Sequence, residues 1–128
     1  MKNWALLLGS GFGFLGVGLG AFGAHALEAV LMANGREATW ETAVLYQFVH
    51  SGLLLWLGIL AGQSSSPRLP LLATWLSASG IVLFSGSLYL LSVTGFRWLG
   101  AITPIGGVCF LAAWTLVFIH SLQPTTRT

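Results

Sequence analysis

Eight residues carry the side chains from which chemistry could be built: His25, Tyr46, Gln47, His50, Ser85, Ser87, Tyr89 and Thr103. Tyr46, Gln47 and His50 stand at i, i+1 and i+4, so a helix would place them on one broad face. Two imidazoles, an amide, two phenols and three hydroxyls supply both donors and acceptors, enough for a polar network, a solute pocket or a ligand set. Three uses compete for them. The first is a hydrogen-bonded network holding helices together, with neutral His50 bonded to Gln47, Tyr89 or a serine. The second is a pocket for a small polar solute, an ion or a lipid headgroup. The third, haem or metal ligation by His25 and His50, needs the two imidazoles at one depth, and their positions in the chain set them at different depths. No cofactor and no metal is therefore expected.

Other reactive patterns are missing. The sequence has no G-x-S-x-G, no H-E-x-x-H and no carboxylate inside an apolar run that could orient a histidine. The chain is expected not to be an enzyme. Its single cysteine, Cys109, stands in an apolar stretch, where a thiol packs as a small hydrophobe. The glycines of the first apolar run spell G-x-G-x-x-G at 11–16 and 18–23, but neither copy follows a strand or sits in a βαβ unit.

The segments that must position these residues are membrane spans. Of 128 residues only 6% are charged and 55% are hydrophobic, with a mean hydropathy of +0.85. A soluble domain carries about a quarter charged residues. In water this chain would expose far more apolar surface than monomers tolerate, whereas lipid removes the conflict. Its few cations, Lys2, Arg36, Arg68, Arg97 and Arg127, are dispersed among ends and loops, which excludes a basic face for nucleic acid.

Four apolar runs, at about 4–26, 42–62, 70–94 and 103–122, are each long enough to cross ~30 Å of hydrocarbon. The first also resembles a signal peptide, with Lys2 ahead of it and Ala24-His25-Ala26 behind, yet it is long for that role and is expected to persist as a span. Between the first two runs, Leu27, Val30 and Leu31 predict a short amphipathic helix at the interface, ended by Asn34-Gly35. Gln63–Arg68 forms a polar turn, Pro70 fits the first turn of the third span, and Thr103 is placed to N-cap the fourth with Pro104 at N1. The expected fold is all-α: residues 1–128 form one integral membrane four-helix bundle with an interfacial helix between spans 1 and 2.

Gly9, Gly13, Gly16, Gly20 and Gly23 fall at i, i+4, i+7, i+11 and i+14, a stripe suited to close helix packing. Four spans put both ends and the Gln63–Arg68 turn on one side, with Lys2, Arg68 and Arg127; Arg36 and Arg97 lie on the other. The excess of cations places the termini in the cytoplasm, in a cell inner membrane. Trp40 and Trp98 mark the far interface, and Trp4, Trp56 and Trp75 lie toward the near one. His50 then lies about 12 Å inside the lipid boundary, at 1.5 Å per residue.

The motifs Gly20-Ala-Phe-Gly-Ala-His-Ala-Leu27, Glu41-Thr-Ala-Val-Leu-Tyr-Gln47 with His50, Phe84-Ser-Gly-Ser-Leu-Tyr89 and Leu99-Gly-Ala-Ile-Thr-Pro-Ile-Gly-Gly107 follow one another in order. Together they resemble the domain-of-unknown-function family 423, small bacterial inner-membrane proteins similar to eukaryotic transmembrane protein 256. The resemblance implies a four-helix membrane protein and assigns no activity. The expected function is a structural or interaction protein, an accessory subunit of a larger membrane assembly, with the bilayer, other membrane subunits or further copies of itself as partners. The alternative is a binder or transporter of a small polar solute, ion or lipid through the polar cluster.

Overall fold

The computed structural model describes residues 1–124; Arg127, counted above in the charge bias, lies outside them. Among the described residues there are six α-helices, five of which build four membrane-length segments. α1 (Trp4–Ala24) is the first span, and α2 (Glu28–Asn34) is the short helix that follows it. α3 (Glu37–Gln63) is the second span. The third comprises α4 (Arg68–Gly80) and α5 (Gly86–Thr94), joined through a π turn at Ile81–Ser85. A 3₁₀ turn (Arg97–Ala101) leads into α6 (Thr103–Ser121), the fourth. The chain is thus a helical membrane bundle, and large side chains such as Phe14, Val108, Leu111 and Phe118 point outward, where lipid is their solvent.

Local chemistry sets the ends. The Asn3 side chain accepts from Leu6 N at 3.2 Å and donates to Gly58 O at 2.9 Å, capping α1 and tying it to the far end of α3. Gly35 and Gly95 adopt φ of +62° and +74°, the left-handed conformation that ends α2 and α5. Asn34 Nδ2 reaches both Ser92 O and Val93 O at 3.0 Å, so α2 is fastened to the last turn of α5. α3 begins at Glu37, earlier than the apolar run suggests, because Glu37 and Glu41 are good helix formers at a positive dipole end. Thr103 does not act as the N-cap: the 3₁₀ turn already runs into α6, and its hydroxyl is committed elsewhere.

α1 packs chiefly on α3, and α6 chiefly on α4, leaving α3 and the third span in the middle. Within lipid no hydrophobic force drives helices together, so close contact and interhelical hydrogen bonds must do so. Gly9 lies against Leu55 and Gly16 against Phe48, where an added Cβ would come to 3.0 and 3.1 Å. Gly20 faces Val44 at an ordinary 3.5 Å, and the Trp40 indole fills the space that a side chain on Gly23 would need. Gly13 belongs to the predicted stripe but meets nothing within 4 Å; at about 40° from Gly9 it stands at one edge of the stripe. Trp40, near the start of α3, turns into the bundle. It is buried, and its Nε1 donates to Leu19 O at 2.9 Å. On the other flank, Gly80 receives the Phe110 ring and Gly106 meets the backbone of Phe84.

Candidate functional site

Gln47 is 2% exposed and bridges three helices. Its Nε2 donates to Phe12 O of α1 at 2.8 Å, and its Oε1 accepts from Tyr89 OH of α5 at 2.6 Å. Its backbone carbonyl receives the Ser51 hydroxyl at 2.6 Å. The Tyr89 ring lies 4.6 Å from that of Trp40, continuing the contact toward α1.

His50, 3% exposed, belongs to a separate group. Trp114 Nε1 of α6 donates to its Nε2 at 3.1 Å. An indole nitrogen can only donate, so Nε2 must accept, and Nδ1 carries the proton that reaches Tyr46 O at 2.7 Å. The ring is therefore the neutral Nδ1–H tautomer, with both nitrogens in use. Phe110 stacks on it at 3.5 Å between centroids and 10° between planes. His50 does not bond to Gln47, Tyr89 or a serine. Three residues at 100° each separate Gln47 from His50 by about 60° around α3, enough to turn them to different neighbours.

The hydroxyls form further pairs. Ser85, inside the π turn, donates to Ala43 O of α3 at 2.7 Å. Ser87 donates to Phe84 O at 3.0 Å and shares a 2.7 Å bond with Thr103; with the Ser87 proton on Phe84, Thr103 is the donor. The Tyr46 side chain is partly exposed and its ring lies 4.5 Å from Phe84, beside the buried set rather than within it. His25 stands apart: it is the exposed residue at the C-terminal end of α1, where the chain turns toward α2. It does not join the interior, and no group of three metal-binding side chains occurs among the described residues.

Trp114 is the polar partner that spacing did not identify. A tryptophan in mid-span, rather than at an interface, is the available signal, because its N–H needs an acceptor there. Replacing Trp114 with phenylalanine is expected to cost about 1 kcal/mol of thermal stability in mild detergent, the scale of an interhelical bond in a membrane. Nitrogen NMR of His50 should show the Nδ1–H tautomer in both proteins, held by the Tyr46 carbonyl, with the Nε2 resonance shifting in the variant as its donor is lost. Unchanged stability together with an unshifted Nε2 resonance would contradict the assignment.

A cleft of about 370 Å³ opens beside this group, walled by Tyr46, Phe84, Phe110 and Trp114. With both nitrogens of His50 engaged, the cleft offers mainly aromatic surface.

The fold and its cross-helix hydrogen bonds define a class: a small four-span helical membrane protein whose intramembrane polar groups link one helix to another. A family profile described as "Protein of unknown function (DUF423)" matches residues 19–107. The chain is 43% identical over 118 residues to the UPF0382 membrane protein YwdK of Bacillus subtilis, covering 92% of this chain and 95% of that one. It is 46% identical, again over 118 residues, to a UPF0382 membrane protein of Staphylococcus saprophyticus, covering 92% and 96% respectively. This chain belongs to the DUF423 family of membrane proteins. No solved structure matches it.

Proposed function

We propose that this protein is a structural or interaction component of the membrane, an accessory subunit of a larger assembly, and not an enzyme. The supporting observation is how its polar groups are used. Gln47, His50, Ser85, Ser87, Tyr89 and Thr103 all bond to partners inside the bundle, which leaves them little capacity for a solute. Meanwhile α1 turns Gly11 and Gly18, which share its outer face, toward open space, a shape suited to another helix. The inner membrane is the proposed location, with both termini cytoplasmic, since the sequence has Lys2, Arg68 and Arg127 on that side against Arg36 and Arg97 on the other.

The test is co-purification from native membranes in mild detergent, with Gly11→Leu and Gly18→Leu as variants. The wild-type chain should be recovered with partner chains, and the variants should lose them while keeping their own fold. A wild-type chain that runs alone as a stable monomer would remove this reading. The alternative, a binder of small ligands, keeps one supporting feature in the aromatic cleft beside His50, whose walls suit an apolar lipid chain better than a polar solute.

A further inference from the structure

All three acidic residues of the chain, Glu28, Glu37 and Glu41, line one groove. It measures about 580 Å³, runs between α1 and α3 with α2 at its end, and has no lysine or arginine in its lining. Below the carboxylates its walls turn apolar, with Leu45 and Phe48 partly exposed along it. The groove therefore calls for an occupant with a cation at the interface and apolar groups beside it.

The chain carries such a group at the same end of the bundle. Arg97 opens the 3₁₀ turn between α5 and α6, flanked by Phe96 at 57% and Trp98 at 65% exposure. The bonds from Asn34 to Ser92 O and Val93 O fix the end of α2 level with the end of α5, so groove mouth and turn lie at one depth. None of residues 95–101 lines the groove of its own chain. The groove is on the α1 flank and the turn leads into α6, on the other flank. Two copies inserted with the same orientation carry groove and turn at the same depth.

We infer that the groove receives the Phe96-Arg97-Trp98 turn of a second copy, with the guanidinium among Glu28, Glu37 and Glu41 and the aromatic side chains at the apolar rim. Arginine suits this role because its planar fork can meet carboxylates in pairs. The contact is head-to-tail, so each copy offers one groove and one turn, and assembly proceeds to a ring if the rotation closes. This inference rests on the interaction reading above and names one partner for it, through a surface other than the outer glycines of α1.

The test uses full-length chains carrying two different tags, co-expressed and captured from mild detergent. Wild-type copies should co-purify. Copies that all carry Arg97→Glu should lose recovery by about tenfold or more, as like charges meet, and so should copies that all carry Glu37→Lys with Glu41→Lys. Mixing the two variants should restore it, since each turn then faces a groove of opposite charge. A photocrosslinking residue at Phe96 in the otherwise wild-type chain provides a readout independent of folding of the charge variants. An adduct with residues 37–48 of a second copy supports the inference. An adduct confined to lipid or to another protein overturns it, as does failure of the mixture to recover. Capture of other membrane proteins without self-capture would sink this inference alone, whereas a solitary monomer would sink the interaction reading as well.

Discussion

Gly106→Ala is expected to destabilise the bundle by about 1–3 kcal/mol, the range for overpacking a close contact. The substitution ought to help α6 in isolation, since alanine is favoured over glycine in a helix by roughly 1 kcal/mol. What opposes it is the third span. A Cβ on Gly106 would come within 2.8 Å of both Cα and Cβ of Phe84, and nearer still to its backbone nitrogen. A flexible side chain could swing away from such a contact; a backbone can yield only if two helices separate. Gly11→Ala provides the control of opposite sign. It adds the same methyl to a helix, but nothing lies within 4 Å, so stability should rise by about 0.5–1 kcal/mol. Thermal unfolding of both variants in one mild detergent makes the comparison. Equal and positive shifts would mean that α6 does not approach Phe84 as closely as described.

The second large effect concerns Gln47 and Tyr89. Gln47→Leu leaves the Tyr89 hydroxyl without its acceptor, and Tyr89→Phe leaves Gln47 Oε1 without its donor. Each single change is expected to cost about 1–3 kcal/mol, because an unpaired polar group remains in a buried place. Making both changes removes the conflict along with the bond. The double variant should therefore be more stable than the sum of the single losses predicts, by about 1 kcal/mol. Strict additivity in the unfolding free energies would show that the two side chains do not interact. Gln47→Leu should also loosen α1, whose Phe12 carbonyl loses the amide that reaches it.

The helical spans were legible because two signals coincided: apolar runs of membrane length, and turn residues such as Gly35 and Gly95 that permit left-handed backbone. The π turn at Ile81–Ser85 was not legible, since hydropathy does not distinguish i+5 from i+4 bonding. Its neighbourhood is nevertheless where Ser85 reaches α3 and where Phe84 meets Gly106. For the polar residues, sequence identified groups buried in the membrane interior, but not how they pair. Gln47 and His50 looked like members of one face, and the angle between them sends one toward α1 and α5 and the other toward α6. The bond between His50 and Trp114 joins positions 64 apart in the chain, a relation that no local spacing encodes. His25 stays out of the interior for a simpler reason: α1 stops at Ala24, so the next side chain turns outward.

The neutral tautomer of His50 has an electrical consequence. The charged residues Lys2, Glu28, Arg36, Glu37, Glu41, Arg68 and Arg97 all stand at the ends of the apolar runs or between them. A membrane potential does work of about 2.3 kcal/mol per 100 mV on each elementary charge carried through the field. Here the middle of the bundle holds an imidazole without net charge, so a change of potential finds its formal charges only near the ends of the spans. Energising or de-energising the membrane should leave the arrangement of the four spans unmoved, and such a protein would hold its shape as the voltage around it rises and falls.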